Sequence, residues 1–187
     1  MKLDEISQSS ATVKSDPIEK LRSMRNIKKI IDQTICGEFV WKIDKWSAVV
    51  RMGENGINQE MFSNSFLSHQ NGYKISISVM TEGHYLNIGF SILHSINDRE
   101  LHWPFDRDVE LSLMDQNTGR SHKIWKFECS NYPLHVSLQK PKKDSKKMSF
   151  YDYYPFISRK EMSNGTKLCQ NDQIFVKFSR KTFERQK

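Results

Sequence analysis

Turn-forming residues recur through this chain at short intervals, and that spacing constrains the fold more than any other feature. Gly53-Glu54-Asn55-Gly56, Asn71-Gly72, Glu82-Gly83, Asn97-Asp98, Thr118-Gly119 and Asn164-Gly165 separate a series of short segments. Asn and Asp close turns with their own side chains, and Gly reaches positive φ without steric cost. Between the turns, apolar residues alternate with polar ones. Val109, Leu111 and Leu113, interleaved with Glu110, Ser112 and Met114, have the period of a half-buried strand. Candidate strands fall at 38–43, 46–51, 61–66, 73–80, 85–95, 109–115, 121–127, 134–139, 150–157 and 172–179, with one helical turn at 158–162. Even spacing of this kind predicts a mainly β chain folded as an antiparallel sandwich of about eight strands. No internal repeat is visible.

The stretch from 101 to 117 condenses the pattern. Trp103-Pro104-Phe105 sets two large rings around a proline that cannot donate to a central ladder. A strand follows, and Asp115-Gln116-Asn117-Thr118-Gly119 turns it back into a hairpin. This is a structural signature with nothing arranged for catalysis.

Ahead of the strands lies a different pattern. Residues 1–15 are polar and read as a disordered N-terminus. Asp16-Pro17-Ile18-Glu19 is a helix start, with Asp16 as cap, Pro17 at the first helical position and Glu19 closing a capping box. The predicted helix runs over 16–35, and Gly37 stops it. Ile18, Leu21, Met24, Ile27, Ile30, Ile31 and Ile35 form a broad apolar face that must bury against something. A helix lying on its own domain and a short coiled coil, with 3-4 spacing through Met24, Ile27, Ile31 and Thr34, fit the periodicity equally.

A chain of 187 residues has room for one domain with a real core. No apolar run approaches the ~20 residues of a membrane span, and the N-terminus lacks the apolar core of a secretory signal. Cys36, Cys129 and Cys169 are an odd count without paired spacing, so they read as reduced thiols of a cytoplasmic protein. The six histidines show no ligand spacing, and neither a phosphate-binding glycine loop nor a nucleophile elbow is present. The expectation is a non-enzyme without metal or cofactor. The net charge of +7 raises nucleic-acid or anionic-membrane binding through the lysines of 140–147. A solvated loop and a basic tail over 180–187 account for the charge equally simply. The aromatics favour that account, because they sit at core spacing rather than on a basic face.

Trp103-Pro104-Phe105 followed by Leu113-Met114-Asp115-Gln116-Asn117 resembles the C-terminal (TRAF-C, or MATH) domain of the TNF-receptor-associated factors. So do Gly37-Glu38-Phe39-Val40-Trp41-Lys42-Ile43, Gly72-Tyr73-Lys74, Asn97-Asp98, Gln139-Lys140-Pro141 and Asn171-Asp172-Gln173-Ile174-Phe175-Val176-Lys177. The likeness covers roughly residues 36–179 in the right order, and the Gly-Tyr-Lys and Asp-Gln-Asn elements favour the TRAF branch. It implies a sandwich preceded by a trimerising coiled coil through Leu21, Met24, Ile27, Ile31 and Thr34. It also implies a cytoplasmic signalling adaptor that holds extended segments of TNF-receptor-like tails, or adaptor peptides, at a sheet edge. The RING and zinc-finger modules of many TRAF proteins are absent from these residues.

Carried over position by position, the resemblance puts Ser78 where the family commonly has a groove arginine, and Met80 where several members have tyrosine. Of a serine cluster only Ser137 remains, with His135 and Val136 beside it. Phe127 and Leu138 match groove-lining positions, Ser149 a polar contact, and Phe150 an aromatic that in one subgroup forms a pocket for proline. The groove is therefore expected to be apolar and to lack the acidic-peptide preference of many relatives, since a serine hydroxyl replaces a bidentate arginine poorly. Two alternatives of function follow from the same residues. One is a substrate-recognition MATH module of a ubiquitin-pathway protein; the other is an oligomerisation domain whose groove has decayed.

Overall fold

A computed structural model describes residues 38–57, 60–143, 149–151, 156–163 and 165–180. The helix expected over 16–35, with Leu21, Met24, Ile27, Ile31 and Thr34, lies outside the described residues. So do residues 1–15 and 181–187 and the second half of the lysine run, with Lys146 and Lys147.

The described elements are β1 (Glu38–Asp44), α1 (Trp46–Glu54), β2 (Glu60–Phe62), β3 (Phe66–Leu67), β4 (Lys74–Glu82) and β5 (Tyr85–Leu93). They continue with β6 (Val109–Asp115), β7 (Arg120–Phe127), β8 (Ser149–Tyr151), β9 (Ile157–Ser158) and β10 (Gln173–Arg180). Short 3-10 turns cover Ile96–Arg99, Cys129–Asn131, Val136–Leu138 and Arg159–Met162. One sheet runs β1-β10-β6-β7 and the other β2-β4-β5-β8, with β3 beside β4 and β9 beside β5. Every pairing is antiparallel.

Alternation drives the sheets together. Ile75, Ile77 and Val79 leave β4 toward the interior, as do Leu86, Ile88, Phe90 and Ile92 from β5. The facing sheet contributes Val109, Leu111 and Leu113 from β6, and Ile174, Val176 and Phe178 from β10, all in one buried cluster. Each side chain of this size, fully buried, contributes about 1.5–3 kcal/mol. Phe175 and Met114 form a second buried pair with Val40 packed against it.

Most of the expected strands appear, and two do not. Residues 46–51, expected as a strand, are the start of α1, whose buried residues Trp46, Val49 and Gly53 recur at helical intervals. No local residue caps it, because Lys45 is left-handed (φ 55°) and makes no cap bond. The cap comes instead from 125 positions downstream. One Asp172 carboxylate oxygen accepts from the Ser47 amide (2.6 Å), the other from the Ser47 hydroxyl (3.0 Å), and the Asp172 carbonyl accepts from the Trp46 amide (3.0 Å). The Trp46 indole donates to the Met162 carbonyl at 3.0 Å. Residues 134–139, also expected as a strand, contain the turn at 136–138, entered through Pro133 and held by the Ser137 amide donating to His135 Nδ1 (3.3 Å). The segment 61–66 is split between β2 and β3, and 150–157 between β8 and β9.

The motifs of the resemblance turn out to be joints. Tyr73 sets its ring edge-on to Trp103 and Phe105 and donates its hydroxyl to the His102 carbonyl at 2.6 Å. The Trp103 indole donates to the Asp98 carbonyl, and the Asn97 amide to the Gly72 carbonyl. Gln116, buried, donates its side-chain amide to the carbonyls of Leu168 and Gln173, both at 2.8 Å. It thereby ties the β6–β7 turn to the approach of β10.

At the far end of α1 the buried Arg159 guanidinium donates to the Val50 carbonyl at 3.3 Å, where the helix dipole favours a cation. Gly53 makes room for it: a Cβ there would stand 2.0 Å from Arg159 Nη2 and 2.9 Å from Thr81 Oγ1. Gly53→Ala should therefore lower stability by about 1–3 kcal/mol in urea denaturation, despite alanine's better helix propensity. An unchanged midpoint would mean that the guanidinium does not occupy that space.

Candidate functional site

The second sheet ends at β8, whose one strand partner among the described residues is β5. No described strand pairs with its other edge, where the Ser149 carbonyl accepts from the Ser137 hydroxyl; an edge without a ladder is the geometry that accepts an added strand. Phe150 pairs with Phe90 and points inward with it. Its ring meets those of Phe90 and Phe127 at 6.0 and 5.1 Å, and Phe127 meets Phe90 at 5.1 Å. Phe127, Leu138 and Phe150 are all buried, so they form the floor beneath this edge.

Above the floor lies a rim. Tyr132 and His135 stand edge-on to Phe150, with centroids 5.5 and 4.6 Å away. Tyr132, Leu134 and Val136 are 50%, 93% and 58% exposed, a run of apolar surface beside a free strand edge. The turn is stitched to β8 by the Ser137 hydroxyl donating to the Ser149 carbonyl at 3.4 Å. Among the sequence-predicted residues, Phe127, Ser137, Leu138, Ser149 and Phe150 are thus brought together. Tyr132 and Leu134 were not singled out, because a strand expected over 134–139 sends alternate residues to opposite faces and hides a continuous rim.

Ser78 and Met80 lie on β4, separated from β8 by β5, on the sheet's outer face. The register places Ser76 opposite Ser91 and Ser91 opposite Ser149, and Ser78 opposite Gly89. Small residues thus floor the middle of that face. The Ser91 and Ser149 hydroxyls share a hydrogen bond at 3.0 Å. Ser78 is fully buried and its hydroxyl has no partner among the described residues, while Met80 is half-buried opposite Glu60 and Asn87.

The two described cysteines are buried, and their surroundings disfavour the thiolate. Burial, then the charges of Asp108 and Asp106, push Cys129 up to about 12, and burial, then Asp172, pushes Cys169 up to about 11. Both stay protonated at neutral pH. The Ser158 hydroxyl and amide hold the Glu161 carboxylate below its ordinary value. That capping-box bond is therefore present at neutral pH and lost only as pH falls through Glu161's lowered value. Among the described residues no three His, Cys, Asp or Glu side chains gather as a metal site, and no helix is long and apolar enough to cross a membrane.

Two stacked antiparallel sheets, the second of them ending at β8 among the described residues, define a β-sandwich domain. The chain belongs to the TRAF/meprin MATH domain family, whose model matches residues 58–177. It is similar to human TNF receptor-associated factor 2, 29% identical over 150 residues, covering 77% of this chain and 29% of that protein. It is also similar to mouse TNF receptor-associated factor 5, 22% identical over 179 residues, covering 92% of this chain and 32% of that protein. The chain thus spans about a third of the length of these relatives. A solved structure of Notothenia coriiceps TRAF5 shares the fold, with TM-score 0.68 at 21% identity, covering 91% of this chain and 86% of that one.

Rim and floor differ in what they hold up. Leu134→Asp with Val136→Asp should leave the urea midpoint within about 0.5 kcal/mol of the parent, whereas Phe127→Ala should cost about 3–5 kcal/mol. Similar losses from both would show that the rim is part of the core.

Proposed function

We propose that the domain is the recognition module of a cytoplasmic TRAF-type signalling adaptor, and that it binds extended peptides along β8. The peptides would be segments of TNF-receptor-like cytoplasmic tails or of adaptor proteins. The observation that carries the reading is the coincidence of a free strand edge with the exposed apolar rim of Tyr132, Leu134 and Val136. Main-chain bonds along the edge supply affinity, and side chains seated against the rim supply selection. Phe127, Ser137, Leu138, Ser149 and Phe150 shape the groove, with Ser78 and Met80 on its far wall. Membership of the TRAF/meprin MATH family supports this reading and the view of the chain as an adaptor rather than a catalyst.

The helix predicted over 16–35 assembles three chains through Leu21, Met24, Ile27, Ile31 and Thr34. Three weak sites on one trimer gain ~10²–10⁴ in apparent affinity for a clustered tail without any new contact. Light scattering should give three times the 22.1 kDa chain mass at micromolar concentration, and Met24→Asp with Ile27→Asp should give the single mass. On surfaces bearing dense peptide the parent should outlast that variant by the avidity factor, and on sparse surfaces the two should behave alike. A monomer across a hundredfold dilution of the parent, or equal retention on dense and sparse surfaces, would refute the multivalent reading.

A further inference from the structure

The outer face of the second sheet carries charge opposite to that expected of a groove that takes acidic peptides. Successive outward positions of β4 are Lys74, Ser76, Ser78, Met80 and Glu82. Register adds Glu60 beside Met80, Asn87 on its other side, and Tyr85 beside Glu82. Among the described residues of this face, the formally charged side chains are Lys74 at one end and Glu60 and Glu82 at the other. The two acids stand diagonally across the β2–β4 pair, a neighbour relation within reach of long side chains.

Hydrogen-bond chemistry agrees with the charge. The Glu60 carboxylate accepts from the Ser149 hydroxyl on β8, so it reaches over the small residues Ser78, Gly89 and Ser91 to the free edge itself. Glu82 accepts from the Asn87 amide at 3.1 Å, which leaves the Asn87 carbonyl oxygen, buried and without a partner among the described residues, as a further acceptor. The Ser78 hydroxyl is buried and likewise without a partner. Two carboxylates and an amide carbonyl oxygen make a site rich in acceptors and poor in fixed donors.

We infer that this face selects a basic residue, lysine or arginine, in the bound peptide and disfavours a carboxylate at the same position. The inference rests on the groove proposed above and adds its charge preference. A cationic head donates to Glu60 and Glu82, and its aliphatic stem lies along Met80. An acidic head meets two like charges and finds no arginine among the described residues of this face. The partner is therefore an extended segment that combines an apolar residue for the rim with a basic residue spaced to reach across the sheet.

The test uses the full chain and oriented degenerate decapeptide libraries with one position fixed as Lys, Arg, Gln or Glu. Retention should be about tenfold greater for the Lys or Arg library than for the Glu library at low salt, with Gln between them, and the contrast should shrink in 0.5 M salt. Glu60→Gln with Glu82→Gln should erase the Lys-over-Glu preference, so that the Lys, Gln and Glu libraries are retained to about the same degree. Leu134→Asp with Val136→Asp should weaken retention of every library. If the Glu library is held as well as or better than the Lys library, and the rim variant still weakens binding, the charge preference is overturned and the groove stands. If the rim variant changes nothing, the groove itself is overturned and the preference with it. A preference that survives both glutamines also overturns the assignment to this face.

Discussion

A continuous line of ring contacts runs from one end of this domain to its candidate binding edge, and the fold depends on it. Trp103 meets Tyr73, Tyr73 meets Phe105, Phe105 meets Phe90, and Phe90 meets both Phe127 and Phe150. Tyr132 and His135 then cap Phe150 at the surface. Phe90 belongs to one sheet and Phe127 to the other, so the line crosses the interior as well as following it. Because such interiors are close-packed, displacing one ring is felt by the next. The rim at Tyr132 therefore rests on the same packing that fixes the corner at Trp103, and a site on an edge acquires the rigidity of the core.

The sequence motifs make sense as the fastenings of this arrangement. Gly72-Tyr73, Asn97-Asp98 and Trp103-Pro104-Phe105 converge on one corner through two hydrogen bonds and two ring contacts. Asp115-Gln116-Asn117 closes a turn locally through the Asp115 carboxylate and reaches the β10 approach through Gln116. Asp172 starts a helix that begins 126 residues earlier in the chain. Each satisfies polar backbone at a place where two segments must meet.

Legibility followed from where the determining forces lie. Strands whose inward residues alternate, such as β4, β6 and β10, could be read directly, because alternation is a local property. The helix α1 could not. Val49 and Val50 favour strand locally, and its start signal is Asp172, far away in sequence. The segment at 134–139 misled for a related reason: Leu134, Val136 and Leu138 alternate, yet Leu134 and Val136 face solvent and only Leu138 enters the core. Of the site, the floor was visible through Phe127, Leu138, Ser149 and Phe150. The rim was not, because exposure of large apolar residues is a tertiary fact. The acidic character of the outer face was equally hidden, since Glu60 and Glu82 are 22 residues apart and become neighbours only through the register of β2 with β4.

The three described residues of β8 bear on how such an edge would work. Three residues present at most a few unpaired main-chain groups, and each hydrogen bond formed there adds only about 0.5–1.5 kcal/mol net of lost water contacts. Ordering an extended peptide costs a comparable amount per residue. A peptide held as proposed by the edge alone would be bound weakly, and its selection would come from the rim and the sheet's outer face. The rim is exposed at Tyr132, Leu134 and Val136, and the outer-face serines Ser76, Ser78 and Ser91 are buried. Weak single-site binding with chemically distinct contacts is the regime in which repetition, rather than tighter fit, raises affinity without sacrificing discrimination between isolated and clustered partners. Weak contacts at such an edge are thus consistent with the proposed module, whose partners would be recognised by number as well as by sequence.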